Sequence, residues 1–384
     1  MIDRRTLLHS GGLAALSMAA VPKMAFARAE TDQRFIFIIQ RGAADGLGIV
    51  APTGDPAYAS QRGSLAEAFA SAPKLGDTFS LHPALRHTLG LYRHGEALFA
   101  HAVASPYRER SHFDGQNVLE TGGSRANQLK DGWMNRMLEL VPSGAAKAVA
   151  VSTTVPMALR GPNEVSSYAP SALPGASDDL LQRVTMLYEG DSQLHALWSK
   201  ALATREVTGD LAVKGRQDAA ATGALVAKLL LPANGARIAM VETGGWDTHS
   251  RQSPRLDANL TSLDAMIGAL HAGLRPVWPQ TTILVATEFG RTVAVNGTGG
   301  TDHGTAACAL LLGGSVIGGR VLTDWPGLAP AQLYEGRDLR PTMELDALIA
   351  GAVAGSFGID PARAASVLFP GATKGRRIDG LVRA

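Results

Sequence analysis

The stretch RFIFIIQ, residues 34–40, decides the fold. Residues 35–39 are all β-branched or aromatic and lack the polar alternation of a strand with one face in water. A continuous apolar run of this length, followed by the glycines and aspartate of RGAADG (41–46), is typical of a buried central strand in a parallel sheet. We therefore expect a sheet that helices cover on both faces.

Further apolar runs follow along the chain, and helical patterns lie between them. The predicted strands are 96–104, 147–153, 236–245, 281–291 and 306–314, and the helical patterns are 83–95, 114–122, 132–141, 179–190, 223–231 and 257–274. This alternation predicts a three-layer α/β fold with a mainly parallel central sheet flanked by helices. Residues 28–384 would form a single α/β domain, with a loop- and helix-rich insertion at about 154–230.

Composition excludes several classes of protein. The 384 residues are 46% hydrophobic with a formal net charge of +2, which is ample for a sizeable core. No basic run or aromatic-basic patch indicates a nucleic-acid partner. Cys308 is the only cysteine, which excludes an intramolecular disulfide and a cysteine-based metal site. It lies in an apolar run and is expected to be a buried small hydrophobe.

The first 27 residues have the pattern of a twin-arginine signal peptide. Arg4 and Arg5 precede the weakly apolar stretch GGLAALSMAAVP (11–22), and AFA (25–27) fits an A-x-A cleavage site. The apolar stretch is too short to remain as a membrane span. We therefore expect the twin-arginine export machinery as a partner, and a periplasmic or secreted mature protein without a stable membrane span.

Polar side chains gather where the predicted strands end. Ligands of an open parallel sheet lie beyond the carboxyl ends of its strands. Taken alone, D-x-H and D-H-G sequences are ordinary turns, and a serine before HFDG fits a helix N-cap. The prediction of a site rests on their convergence at one edge. The residues are Asp45, Ser111, His112, Asp114, Asp247, His249, Thr287, Glu288, Arg291, Asp302 and His303.

Imidazole and carboxylate ligands together suit zinc, manganese or iron better than magnesium or calcium. A hydroxyl such as that of Ser111, at a helix N-terminus, faces unsatisfied backbone N–H groups that favour a phosphate or sulfate. A nearby metal ion would lower the pKa of this hydroxyl and make it a nucleophile. Arg108, Arg110 or Arg291 would bind the remaining anionic oxygens.

The motifs RGAADGLGIVAP (41–52), SHFDGQNVLETG (111–122), GGWDTH (244–249), TEFGRT (287–292) and GTDHG (300–304) resemble, in this order, those of the bacterial domain-of-unknown-function-1501 family. The resemblance covers most of the mature chain. That family is similar in fold to the alkaline phosphatase superfamily, which includes sulfatases and cofactor-independent phosphoglycerate mutases. The resemblance therefore implies an alkaline-phosphatase-like fold.

The resemblance also implies roles for individual residues. Asp45 matches the aspartate that bridges toward one metal ion, and Ser111 matches the Ser or Thr nucleophile. Asp247 and His249 match an Asp and a His that hold the other ion, although their spacing is tighter than usual. His303 matches the late histidine that completes that second set.

One position departs from the superfamily pattern. Glu288 stands where an Asp–His pair is usual, and the next residue, Phe289, cannot bind a metal. One of the two metal sites is therefore expected to be altered or missing. His112 or Asp302 would then replace the lost ligand.

Three functions remain open at this stage. The first is an exported metal-dependent hydrolase of phosphate or sulfate esters, with one or two divalent ions, Ser111 as nucleophile and a small anionic ester as substrate. The second, motivated by Phe289, is a non-catalytic protein of the same fold that binds a ligand or partner in the cell envelope. The third is a metal-free serine hydrolase around Ser111, which no G-x-S-x-G elbow supports.

Overall fold

The computed structural model describes residues 31–141, 148–169, 178–188, 191, 194–195, 197–199, 218–232, 235–371 and 377–383. The predicted signal peptide, 1–27, lies outside the described residues, as does part of the predicted insertion at 154–230. Residues from Thr31 onward form one compact unit.

The strands are β1 (Arg34–Gln40), β2 (Val50–Ala51), β3 (Lys74–Leu75), β4 (Phe79–Leu81), β5 (Ala97–Ala104), β6 (Ala148–Val151), β7 (Val165–Ser167), β8 (Ile238–Thr243), β9 (Thr281–Ala286), β10 (Ala307–Leu312), β11 (Arg320–Leu322) and β12 (Met343–Glu344). The helices are α1 (Gly46–Ile49), α2 (Tyr58–Arg62), α3 (Arg86–Arg93), α4 (His112–Thr121), α5 (Trp133–Leu140), α6 (Asp178–Tyr188), α7 (Ala219–Leu230), α8 (Gln252–Gly273), α9 (Leu345–Phe357) and α10 (Pro361–Leu368).

The main sheet of the described residues has the strand order β11-β5-β10-β9-β1-β8-β6-β7, and β12 also pairs with β5. Strand β1 lies at its centre, parallel to β8 and β9. Strand β10 alone runs antiparallel to its neighbours β5 and β9. A smaller antiparallel sheet joins β2, β4 and β3.

The two faces of β1 belong to two separate cores. Ile36 and Ile38 pack into the cluster that contains the buried faces of α3, α7 and α8. Phe35, Phe37 and Ile39 pack into the opposite cluster, with α5, α9 and α10. All five side chains are fully buried, and burial of each contributes roughly 1.5–3 kcal/mol. This double burial explains why the run shows no polar alternation.

The predicted α/β fold with a mainly parallel sheet between two helical layers is confirmed. Each predicted strand is present, although β9 ends at Ala286, since the chain from Thr287 leaves the sheet. Strand β7 was not predicted, because its three residues are not a continuous apolar run and are partly or fully exposed. It pairs with β6.

The sheet topology brings the polar loops to one edge. The carboxyl ends of β1, β5, β8 and β9 lie at this edge because these strands are parallel, and β10 begins there because it is antiparallel. A residue just before β10 therefore faces the loops that follow the other strands.

Candidate metal centre

The loop after β8 reaches the edge through a close approach of two backbones. Gly42, in the loop after β1, has a φ of +116°, and a Cβ at this position would lie 2.6 Å from the backbone nitrogen of Asp247. A side chain at residue 42 would therefore be strained and would push away the segment that carries Asp247 and His249. The glycine lets the two loops meet.

Ligand atoms from three loops converge at this point. One ligand atom each of His112, Asp247 and His303 lies within 4.8 Å of the others. His249 joins them, since its Nε2 lies 3.0 Å from both Asp247 Oδ1 and His303 Nε2. The Nε2 of His112 lies 3.6 Å from Asp247 Oδ2. Three imidazoles thus surround the Asp247 carboxylate.

The other nitrogen of each imidazole faces an oxygen acceptor. Nδ1 of His112 lies 2.8 Å from Glu288 Oε1, Nδ1 of His249 lies 3.0 Å from Asp302 Oδ1, and Nδ1 of His303 lies 2.9 Å from the carbonyl oxygen of Arg110. These contacts assign the proton of each neutral imidazole to Nδ1. Each Nε2 then carries a lone pair that can bind a metal ion, which is the arrangement of metal-bound histidines with outer-shell acceptors.

The Nε2 of His112 provides a direct test of fit. It is buried and has no hydrogen-bond partner among the described residues. A buried polar atom without a partner is costly and calls for an explanation. A bound ion explains it, and nitrogen donors with one carboxylate suit zinc, manganese or iron. The residues therefore fit a metal ion.

A buried arginine holds the carboxylate ligand in place. Nη1 of Arg291 donates to Asp247 Oδ1 at 2.7 Å, and its other nitrogens donate to the hydroxyl and carbonyl of Thr301. Burial alone would raise the pKa of Asp247, but the hydrogen bond and charge of Arg291 hold this pKa below its usual value. Asp247 is therefore ionised, as a ligand must be.

Glu288 lies behind His112. It is fully buried, and its carboxylate accepts hydrogen bonds from the backbone N–H of Gly42 at 2.9 Å, from Gln116 at 3.1 Å and from the hydroxyl of Thr287 at 3.0 Å, besides that from His112. Burial opposes its ionisation, but these hydrogen bonds lower its pKa. Glu288 is therefore an anion, and it orients the imidazole of His112.

The environments of the histidines differ. The hydrogen bond with Glu288 raises the pKa of His112, while burial lowers the pKa of His303. The ring of Phe289 stacks on His112 with centroids 5.1 Å apart and lies 5.3 Å from that of His303. Phe289 therefore forms an apolar wall of the site, at the position where the superfamily pattern has a ligand.

Asp45, predicted as a metal ligand, does not join the cluster. Its carboxylate accepts from the guanidinium of Arg62 and the amide of Gln252, and the side chain is almost fully buried. A carboxylate held by a buried arginine has its charge already compensated. The structure thus places Asp45 in an ion pair beneath the site.

Other predicted site residues lie around the ligands. Ser111 is the N-cap residue of α4, directly before His112, and its hydroxyl does not cap the helix. Asp302 lies behind His249, and its pKa is lowered by that hydrogen bond. Arg291 contacts Asp247 and is buried away from solvent. Arg291 therefore holds the carboxylate ligand Asp247 in position.

The arginines predicted to bind an anion have protein partners. Arg110 pairs with Asp338 and Glu335, and Arg108 donates to the carbonyls of Ser105 and Tyr107. Asp338 is fully buried and also accepts from the hydroxyl of Thr305 at 2.8 Å. It fixes the loop whose carbonyl orients His303.

Sequence reasoning missed Asp338, Arg62, Gln252 and Thr301. Asp338 lies in a polar stretch, EGRDLR (335–340), that resembles any surface turn. No local motif marks Arg62, Gln252 or Thr301, because they contact residues that lie far from them in the sequence. A buried partner for each charged group becomes visible only in three dimensions.

The site is open to solvent on one side. The side chains of Asp247 and His249 are 44% and 45% exposed, whereas those of His112 and His303 are 24% and 25% exposed. An ion held there would keep a side accessible to a substrate, as in catalytic rather than closed structural sites.

A comparison with curated proteins found no match. The structure is similar to an alkaline phosphatase from the Antarctic bacterium TAB5, with 13% identity and a TM-score of 0.36 over 73% of this chain and 91% of that one. It is similar to Ps i-CgsB in complex with k-i-k-neocarrahexaose, with 11% identity and a TM-score of 0.41 over 86% and 73%. The lipoteichoic acid synthase LtaP from Listeria monocytogenes has 7% identity and a TM-score of 0.35 over 78% and 68%.

The sequence itself gives the assignment to a family. Residues 32–367 match the family described as protein of unknown function DUF1501, which confirms the resemblance of the motifs. The matched range holds both the central strand and every ligand of the cluster. The chain belongs to the DUF1501 family.

Proposed function

We propose that the protein is an exported, metal-dependent hydrolase of phosphate or sulfate esters. The observation that carries the proposal is the cluster of three Nε2 atoms, those of His112, His249 and His303, around the solvent-accessible carboxylate of Asp247. His112, Asp247, His249 and His303 would hold a zinc, manganese or iron ion. When bound, such an ion would polarise an ester oxygen and stabilise negative charge in the transition state.

Ser111 is the nucleophile in this proposal. It adjoins His112 in the chain, and it precedes the ten-residue helix α4, whose first-turn N–H groups favour an anion. Its Oγ would form a bond to phosphorus or sulfur while the bond to the alcohol oxygen breaks. The hydroxyl proton goes to the departing alcohol, and water then hydrolyses the seryl ester.

Outer residues keep the ligands in place. Glu288, Asp302 and the carbonyl of Arg110 fix the orientation of the imidazoles, and Arg291 fixes Asp247. Positioning of this kind is needed because small displacements of reacting groups cost large factors in rate.

A panel of aryl phosphate and sulfate esters, assayed with zinc, manganese and iron, tests the proposal. Turnover is expected with at least one metal, with loss in both Ser111→Ala and His249→Ala. Ser71→Ala, at an exposed position before β3, is the control for folding and metal-independent effects. Turnover that survives both site variants would exclude the assigned roles.

A second candidate is a protein that binds metal and a ligand without catalysis. This candidate is favoured because the arginines expected to bind a substrate anion are engaged elsewhere. Protein oxygens hold each of them, namely Arg108, Arg110 and Arg291. Stoichiometric metal, together with anion binding but no turnover on any ester, would select this candidate over the hydrolase.

Export is part of the proposal. The twin-arginine pattern of residues 1–27 supports it. In the described part of the chain, no helix has the length and apolarity needed to cross a membrane. We propose a periplasmic or secreted location for the mature protein.

A further inference from the structure

The ion pair of Arg62 and Asp45 lies beneath the metal cluster. Both side chains are shielded from solvent, with exposed fractions of 0% and 1%. Arg62 also donates to the backbone carbonyls of Thr292 and Val293, at 3.3 and 3.1 Å. Protein oxygens therefore hold both terminal nitrogens of the guanidinium.

This guanidinium leaves no place for a metal ion at Asp45. An arginine stays protonated under all ordinary conditions. A divalent ion on the same carboxylate would bring like charges together in a buried region, where their repulsion is weakly screened. Gln252 donates its amide N–H to the same oxygen, Oδ2, whereas Oδ1 has no hydrogen-bond partner among the described residues. The guanidinium of Arg62 therefore already balances the charge of Asp45.

Protein groups also engage the carboxylate of Glu288. Its two oxygens receive hydrogen bonds from the backbone N–H of Gly42 and from the side chains of His112, Gln116 and Thr287. Neither predicted acidic ligand of a second ion is thus available. The converging ligands His112, Asp247 and His303 belong to a single cluster, which His249 adjoins.

We infer that the site holds one metal ion per chain and that the buried guanidinium of Arg62 takes the place of a second ion beside Asp45. The inference rests on the proposed metal-dependent function and specifies its nuclearity. It assigns Arg62 as a positioning residue, which acts through other side chains on the ligand Asp247.

A chain of buried polar groups connects the two positions. Gln252 donates to Asp45, and its Oε1 accepts from the hydroxyl of Thr301 at 2.6 Å. The same hydroxyl accepts from Nε of Arg291 at 3.1 Å, and Arg291 binds Asp247. Arg62 and Asp45 thereby fix the far end of the network that orients the carboxylate ligand.

Metal content measured after dialysis against zinc, manganese or iron tests the inference. His87 and His271 form another imidazole pair, with ring nitrogens 3.2 Å apart, that an added ion could occupy. The protein should therefore carry His87→Asn in every sample. We expect one equivalent in this background and loss of the ion with His249→Gln. The double change Asp45→Asn and Arg62→Met should leave one equivalent but lower its affinity, because the network behind Asp247 loses its far end.

The double change removes both buried charges, so no unpaired ion remains in the interior. If that protein does not fold, Asp45→Asn together with Arg62→Gln removes the same two charges and gives the same readout. Two equivalents that fall to one, or one that falls to none, when Asp45 is changed would overturn the inference while leaving a metal-dependent function in place. No bound metal in the folded background protein would overturn the proposed function itself.

Discussion

At the scale of single residues, the hydrogen bonds behind the histidines distinguish this cluster from a group of surface imidazoles. Each Nδ1 faces an acceptor, so each Nε2 lone pair points to the shared position. The acceptors are a buried carboxylate, an exposed carboxylate and a backbone carbonyl. Their different burial predicts that they contribute unequally to metal affinity.

Glu288→Gln should weaken metal binding more than Asp302→Asn. Glu288 is fully buried behind His112 with its negative charge intact, whereas the Asp302 side chain is 55% exposed. Loss of an outer-shell carboxylate typically reduces metal affinity roughly 10- to 100-fold. Competition against a chromophoric chelator measures both variants. Equal affinities for Glu288→Gln and the wild type would contradict the role of Glu288.

Part of this residue-level picture could be predicted from sequence. Asp247 and His249 stand in a short motif after a predicted strand, so their place at the carboxyl edge of the sheet followed from the fold. The place of His303, before β10, depends also on the antiparallel direction of that strand. The place of Asp45 did not, because its partners Arg62 and Gln252 are 17 and 207 residues away. A carboxylate at a strand end looks the same whether a metal or an arginine neutralises it.

At the scale of elements, the loops after β1 and β8 depend on one glycine. Gly42→Ala should weaken metal binding and lower the free energy of unfolding, because residue 42 has a positive φ and its Cβ would overlap the Asp247 backbone. Forced backbone conformations of this kind cost about 1–3 kcal/mol. Denaturant unfolding and a metal titration measure the two effects.

Gly244→Ala is the matched control. It lies in the loop after β8, the loop that Gly42 approaches. Its φ is not in the left-handed region, and a Cβ there meets nothing within 4 Å. Its metal affinity and stability should remain close to those of the wild type. Similar behaviour of the two alanine variants would show that the close approach at Gly42 is unimportant.

Strand β5 contains a histidine that should make the fold sensitive to acid. His101 is fully buried, its Nε2 lies 2.8 Å from the carbonyl oxygen of Val50, and its Nδ1 accepts from the N–H of Ala102 at 2.8 Å. The contact with Ala102 requires an unprotonated Nδ1 and therefore the neutral ring. Burial accordingly lowers the pKa of His101 to about 4 from an ordinary value of 6.5.

The unfolded chain therefore binds a proton at His101 below pH 6.5, and the folded protein does so only near pH 4. The resulting stability is present above pH 6.5 and is lost as the pH falls toward 4. Each pKa unit corresponds to about 1.4 kcal/mol. His101→Gln should flatten this part of the curve of unfolding free energy against pH. The exposed His94→Gln is the control, and an unchanged slope in His101→Gln would contradict the assignment.

The strands that could be predicted from the sequence include those in which every residue is buried. Strands β1, β5, β9 and β10 are buried along their whole length, so their apolar runs were visible in the sequence. The direction of β10 was not visible, because an apolar run carries no information on strand orientation. That direction is what brings His303 to the ligand edge.

At the scale of the whole molecule, metal binding should stabilise the fold. The ligands come from loops after β5, β8 and β9–β10, so an ion bridges segments that separate on unfolding. Free metal at 100 times its dissociation constant adds about 2.7 kcal/mol to the free energy of unfolding. Chelation should therefore lower the melting temperature.

The variant His249→Gln serves as the control for this experiment. The His249 side chain is 45% exposed, so its replacement should affect binding without much loss of packing. Its melting temperature is expected to respond little to chelator. A wild-type melting temperature that does not change on addition of metal or chelator would show that no ion bridges these loops.

Export is also a property of the whole chain. Replacement of Arg4 and Arg5 by lysine should leave the uncleaved protein in the cytoplasm, because paired arginines define this export route. Cell fractionation and the mass of the recovered protein measure the outcome, with cleavage expected after residue 27. Unchanged export of the double lysine variant would contradict the proposed route.

The central claim is that His112, His249, His303 and Asp247 hold one ion. The most direct measurement is the anomalous scattering of a crystal soaked with zinc, recorded on both sides of the metal absorption edge. We predict a single peak at about 2.0–2.2 Å from the three Nε2 atoms and the Asp247 carboxylate. A peak at Asp45, or no peak between these four residues, would contradict the account.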